Sequence, residues 1–290
     1  MFNRAFRYWA LLPAVLVLGL LTLYPIVQLI RMSFSDLQYV QAGISWTSVG
    51  LKNFRTIFGD PIALVALRNT AVFALVTVTI ETVVALVLAI AVNRVKIFSR
   101  FYRVIVILPM LIPPIAIGVM WLMIVNFNYG VLNELLISFG IQGPAWLNTA
   151  ALAFPTIIVV DIWHWVSFMF LILLAGIESL PQELNEAARI DGATELQLTR
   201  YVTLPLLRPT ISVAVILRII FAFKVFDEIY LLTNGGPGNA TQVISSYVEA
   251  VFFGQARMGY AAALALATAV LIVVFVVGYQ RINTIAGRAS

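Results

Sequence analysis

The chain has no cysteine and a single histidine in 290 residues. Disulfides, thiolate metal sites and iron–sulfur clusters are therefore excluded, and a histidine-built metal site lacks its ligands. Charge is scarce as well: 11% of residues are charged against 62% hydrophobic, and the mean hydropathy is +1.00. That balance does not build a water-soluble domain around a buried core. No Gly-x-x-x-x-Gly-Lys-Ser/Thr loop occurs, so the chain does not cradle nucleotide phosphates in that way. No Gly-x-Ser-x-Gly elbow accompanies His164, and a zinc protease needs more histidines than one. An intramembrane hydrolase is thus left without its machinery. Also missing is any linker or low-complexity tract, so residues 1–290 read as one transmembrane domain.

What the chain does have is long apolar runs, at about 8–31, 66–92, 104–126, 151–177, 209–232 and 260–281. A helix needs roughly 20 apolar residues to cross the hydrocarbon layer, so these predict six spans. Backbone groups in lipid must be satisfied internally, and the runs lack the alternation of a barrel, so the expected fold is all-α. The first run is too long and continuous for a cleaved signal peptide and reads as a retained span. Basic residues fall unevenly around the runs. Arg4, Arg7, Arg94, Lys96, Arg100, Arg103, Arg189, Arg200, Arg208, Arg281 and Arg288 lie on one side; Arg31, Lys52, Arg55, Arg68 and Arg257 lie on the other. The positive-inside rule then puts both termini and the 178–208 connection in the cytoplasm. A nucleic-acid reading of the pI of 9.6 fails, because no basic face with interleaved aromatics remains.

The 178–208 connection is a polar island that reads as two short helices. Ser179 and Gln182 have capping-box spacing, with Pro181 in the opening turn. Gly192 supplies a left-handed stop. Thr194 and Gln197 offer a second capping box, and Pro205 is expected to close the second helix. Such a hairpin suits docking on a soluble partner, although a solvated loop would carry similar charges. The spacing decides: Glu186-Ala187-Ala188, three residues to Gly192, nine more to Val202-Thr203-Leu204-Pro205. It resembles the cytoplasmic coupling loop of ABC importer permeases, departing only at Val202, where that family more often has isoleucine.

The resemblance covers nearly the whole chain and is closest to carbohydrate-uptake permeases of the maltose and glycerol-phosphate type. It takes in Tyr24-Pro25, Asn53 through Asn69-Thr70, Leu108-Pro109, Trp163 through Ala175-Gly176, Phe226-Asp227 and the Thr233–Pro237 run. Ser167 departs from it, since such permeases often have proline there, and this puts the bend of the fourth span in doubt. The resemblance implies a type I importer fold in a bacterial or archaeal cytoplasmic membrane. It implies a second, similar permease, two ATPase subunits carrying ATP and magnesium, and an extracytoplasmic solute-binding protein, with lipid around the spans. It assigns coupling to Glu186, Ala187, Ala188, Asp191, Gly192, Leu204 and Pro205. No cofactor is expected in this chain.

Charged groups inside spans are costly and therefore candidates for function. Glu81 lies mid-way along the second span, Asp161 with His164 in the fourth, and Arg218, Lys224, Asp227 and Glu228 in the fifth. Lys224 has i,i+3 and i,i+4 spacing to Asp227 and Glu228, which predicts an intrahelical ion pair. A sugar needs carboxylates and amides for its hydroxyls and aromatic faces for its C–H groups. Asp161, Trp163, His164, Asp227, Tyr230 and Asn234 have that chemistry. For His164 alone the plainer expectation is a hydrogen-bonded bundle residue. Pro109, Pro113 and Pro114 predict a bend in the third span that either lines a pathway or is a packing kink. Leu51, Phe54, Ile57 and Phe58 predict an amphipathic outer helix. The rival reading is a self-contained secondary transporter or channel that uses the membrane carboxylates, for which the 178–208 spacing has no purpose.

Overall fold

In a computed structural model the chain is described over residues 4–40, 43–95 and 97–288. Lys96 and the side chains of Arg4, Arg7 and Arg288 lie outside the described residues. The elements run α1 (Arg4–Ser33), β1 (Ser35–Val40), β2 (Gly43–Ser48), α2 (Lys52–Gly59), α3 (Pro61–Arg94), α4 (Ser99–Ile107), α5 (Pro114–Ile124) and α6 (Val131–Ser138). They continue with α7 (Ala150–Glu178), α8 (Gln182–Ile190), α9 (Glu195–Leu198), α10 (Leu204–Phe223), α11 (Asp227–Leu232), α12 (Ile244–Glu249) and α13 (Met258–Arg288). A 3₁₀ turn (Leu108–Leu111) and two π-turns (Thr199–Thr203, Ala250–Gly254) join some of them. Among the described residues five helices are long and apolar enough to cross a membrane, and six if the broken α4–α5 pair counts as one span.

The chain divides into two units. The first comprises residues up to 64 with 247–270. Its β1–β2 hairpin is antiparallel, pairing Ser35 with Ser48 through Val40 with Gly43. Asn53 of α2 donates to the carbonyls of Ser33 and Ser35, both at 3.0 Å, which ties α2 to the strand entrance. The expected apolar face holds only in part: Ile57 is buried and Phe54 packs against Phe34, whereas Phe58 and Leu51, which precedes the helix, are exposed. Asp60 then starts α3, its Oδ1 accepting from the N–H groups of Ile62 and Ala63 while Pro61 fills the first helical position. Its Oδ2 accepts from the hydroxyls of Tyr247 (2.6 Å) and Tyr260 (2.7 Å). Burial opposes the Asp60 charge, but the two tyrosines and two backbone donors outweigh it and hold the carboxyl below its ordinary value.

The second unit, residues 65–246 with 271–290, holds the main apolar core. Its centre is α7, whose Ile157, Val160, Met169, Phe170 and Leu173 have no exposed surface. The helix runs unbroken through Ser167, so serine in place of the family's proline leaves it continuous. The third span is bent as its prolines predict: Ser99–Leu111 and Pro114–Ile124 meet at 96°. The loop before α12 is pinned from α3. Asn69 donates to the carbonyls of Ala240 and Gln242, and Thr70 accepts from the N–H of Ile244.

Two expectations need correcting here. Pro205 does not close the second short helix. The carbonyl of Thr199 accepts from the N–H of Leu204, and this π-turn carries the helix past the proline, giving an uninterrupted run from Glu195 to Phe223. The fifth span is broken instead at Lys224, which caps α10 before α11 restarts at Asp227. The intrahelical spacing to Asp227 and Glu228 is therefore lost, and among the described residues neither carboxylate pairs with Lys224.

Candidate functional site: a polar hairpin and a buried ionic cluster

The hairpin begins where α7 ends. Ser179 caps that end and donates its hydroxyl back to the carbonyl of Gly176, at 2.7 Å. It does not form a capping box with Gln182: α8 starts at Gln182 with Pro181 in the N-cap position and no side-chain cap, so Ser179 lies outside the cap and belongs to the end of α7. Gly192 ends α8 at φ +82°, and the N–H of Ala193 returns to the carbonyl of Ala188 at 2.9 Å. Nothing crowds the space a β-carbon would fill there, so the demand for glycine is purely conformational. The second capping box forms as expected. Gln197 N–H reaches Thr194 Oγ1, and Thr194 N–H reaches Gln197 Oε1 at 2.8 Å.

The candidate coupling residues all lie on this hairpin or its exit. Glu186 and Ala187 are exposed on α8 and Ala188 is half-buried; Asp191 caps the helix; Leu204 and Pro205 open α10. Ile190 and Leu196 are 86% and 77% exposed, and Leu184 and Tyr201 of the same segment are exposed as well. Glu195 was not singled out in the sequence. Its Oε1 accepts from Arg189 of α8 at 3.0 Å, and its Oε2 lies 3.4 Å from Arg94 of α3.

Deeper in the second unit three helices share one arginine. Arg218 of α10 donates to Glu81 of α3 through Nε (2.6 Å) and Nη2 (2.9 Å), and Nη2 also contacts Asp161 of α7. All three side chains are 1% exposed or less. The guanidinium also lies 5.0 Å over the ring of Trp165. Since Glu81 already takes a two-bond fork from Arg218, Asp161 is in charge surplus, and its Oδ1 has no partner among the described residues. Nearby His164 Nδ1 lies 3.1 Å from Glu228 Oε1, so His164 is the hydrogen-bonded bundle residue expected of it.

Asp161, Asp227 and Glu228 line one cavity of about 170 Å³, together with Lys224, Trp165 and Pro114. The bent third span thus contributes a wall through Pro114. Of the six residues with sugar-site chemistry, Asp161 and Asp227 meet in this cavity, and His164 reaches it through Glu228. Trp163 instead packs edge-on against Trp121, and Tyr230 stacks on Phe226 with nearly half of its surface exposed. Asn234, at φ +47°, sits exposed in the following turn. The aromatic lining is Trp165, stacked on Phe221 with centroids 5.1 Å apart and two residues along α7 from Trp163. Gly118 of α5 keeps this corner tight, because a β-carbon there would meet Leu231 at 2.6 Å.

Comparison with known proteins places these features in context. A family model described as the binding-protein-dependent transport system inner membrane component matches residues 81–284. The sulfoquinovosyl glycerol transport permease SmoG of Agrobacterium fabrum is 34% identical over 280 residues, covering 97% of this chain and 91% of that one. The trehalose/maltose transport permease MalF of Thermococcus litoralis is 37% identical over 235 residues, covering 81% and 79%. A crystal structure of a bacterial alginate ABC transporter, in complex with an alginate pentasaccharide-bound periplasmic protein, superposes with a TM-score of 0.85 at 26% identity. The match covers 98% of this chain and 96% of that one.

Proposed function

This chain belongs to the inner membrane components of binding-protein-dependent transport systems, and on that premise we propose how it works. It is a permease subunit of an ATP-driven sugar importer, a multi-pass protein of a bacterial or archaeal cytoplasmic membrane, and not itself an enzyme. Six spans with both termini cytoplasmic fit the basic-residue asymmetry, with α4 and α5 forming one broken span. The whole chain acts as one permease domain, paired with a second permease and two ATPase subunits that hold ATP and magnesium. An extracytoplasmic binding protein delivers solute.

The observation that carries this reading is the exposure of Ile190 and Leu196 on a hairpin whose second helix runs on to Phe223. An ATPase groove would cover those apolar groups, with Glu186, Ala187, Ala188, Asp191 and Gly192 at the contact and Leu204 and Pro205 at the exit. Nucleotide-driven closure would then bias a two-state equilibrium through its differential affinity for the two arrangements. Relatives are named for sulfoquinovosyl glycerol, trehalose and maltose, and diacetylchitobiose, so the solute is a saccharide or glycoside. Its hydroxyls would meet Asp161 and Asp227 in the cavity, with Trp165 as the ring platform and His164 holding Glu228 in place. Trp163, Tyr230 and Asn234 would act along the path outside that cavity. The test is gentle extraction of the tagged chain and identification of what co-purifies. A phosphate-loop ATPase and a second permease are expected; a chain that purifies alone would overturn the reading in favour of a self-contained transporter.

A further inference from the structure

The hairpin is joined by the chain itself to α7 through the Ser179–Pro181 turn and to α10 through the π-turn. The second membrane helix, α3, has no such connection, because after Arg94 the chain leaves for α4. We propose that Arg94 and Glu195 form a lasting link that makes α3 a driven part of the coupling machinery. The link rests on the importer reading above.

Three bonds converge on Arg94. Its Nη2 donates to the Thr199 hydroxyl at 2.6 Å and to the Glu195 carbonyl at 3.0 Å, and lies 3.4 Å from the Glu195 carboxylate. Thr199 is where α9 turns into the π-turn, so the guanidinium grips the junction between hairpin and span. The other oxygen of Glu195 takes Arg189, so one carboxylate gathers α3, α8 and α9. Between the end of α3 and the hairpin lies an open groove of mixed character, lined by Asn93, Arg94, Asn185, Glu186 and Glu195 together with Ile177 and Leu180. At its edge the polar bonds of Arg94 join α3 to the hairpin.

A second tie lies deeper in the same unit, where Glu81 of α3 holds Arg218 of the Glu195–Phe223 helix through two bonds. The two attachment points on α3 are thirteen residues apart, or about 20 Å at 1.5 Å per residue. Two ties at that separation keep α3 from tilting independently of the helix it is bound to. Movement imposed on the hairpin then reaches α3 directly and does not have to pass through α7.

The experiment uses the complete complex in liposomes, measuring ATP hydrolysis with and without solute-loaded binding protein, and uptake per ATP. Arg94→Ala is expected to keep unstimulated hydrolysis and lose stimulation and uptake by about tenfold, within the usual range of coupling between sites. Arg94→Lys should fall between, since an ammonium keeps the charge but not the reach and fixed planar geometry of the guanidinium. The chain has no cysteine, so Arg94→Cys with Glu195→Cys can be bridged selectively by a short bis-maleimide in a complex whose other chains lack cysteine. The bridged complex should still transport. Full stimulation in Arg94→Ala, or a bridge that halts uptake, overturns the proposal. If Arg94→Ala does not assemble, the bridged pair decides alone. A wild-type complex without solute-stimulated hydrolysis would instead sink the importer reading.

Discussion

Two ion triplets in this molecule have the same composition in mirror image. At Arg218 one guanidinium serves two carboxylates, Glu81 and Asp161; at Glu195 one carboxylate serves two guanidiniums, Arg94 and Arg189. The first is almost wholly buried, whereas the members of the second are 41–59% exposed. Water screens the second, so each of its pairs contributes at most about 1 kcal/mol, while breaking the first leaves an uncompensated charge costing about 3–5 kcal/mol. Identical chemistry is thus sealed from water in one place and screened by water in the other. The screened triplet joins α3 to the hairpin.

The comparison is tested most severely by Arg218→Met. It leaves Glu81 and Asp161 buried without a cation, and thermal unfolding of the purified chain should report a loss of about 3–5 kcal/mol. A variant as stable as wild type would break the contrast outright. Gly192→Pro should abolish solute-stimulated ATP hydrolysis in the assembled complex, because the left-handed turn between α8 and α9 cannot form. Retained stimulation would remove the hairpin from the coupling route. Asp161→Asn should leave assembly intact, since Glu81 still satisfies Arg218, and lower solute uptake in vesicles about tenfold. Equal uptake would show Asp161 to be structural only. Arg189→Ala should cost less than about 1 kcal/mol and become undetectable at high salt. The smallest effect concerns Asp60. Its carboxyl is held below 3.8, so it stabilises fully above that pH and loses the contribution as pH falls through the lower folded value. An acid unfolding midpoint that Asp60→Asn leaves unmoved would deny this.

Where the sequence was readable, the interacting groups were close along the chain. Gly192 and the Thr194–Gln197 capping box each depend on neighbours a few residues away, and each formed as read. Proline was readable as a disturbance but not always for its outcome. Pro113 and Pro114 bent the third span, whereas at Pro205 a π-turn absorbed the missing donor. Ser179 had capping spacing but was claimed by the helix before it. The ionic cluster was legible only as a set of costly charges. Arg218 is 137 residues from Glu81 and 57 from Asp161, and no local rule pairs groups so far apart. The same distance hid the loop anchor, Asn69, which lies 171 residues from Ala240. Lys224 failed for the opposite reason: its helical spacing to Asp227 presumed a helix that ends just before it counts.

The buried cluster also carries a consequence for how the protein is made. Synthesis runs from the N-terminus, so Glu81 enters the bilayer 137 residues before Arg218 exists. An acidic side chain at a helix centre costs about 3 kcal/mol to insert, and α3 meets that cost with 34 residues whose best window averages a hydropathy of 2.5. The helix therefore partitions into lipid and holds its carboxylate unpaired until the fifth span arrives. Every copy whose synthesis stalls between them is left with an orphan acid in the hydrocarbon, a chemical mark that separates unfinished chains from finished ones before any transport is attempted.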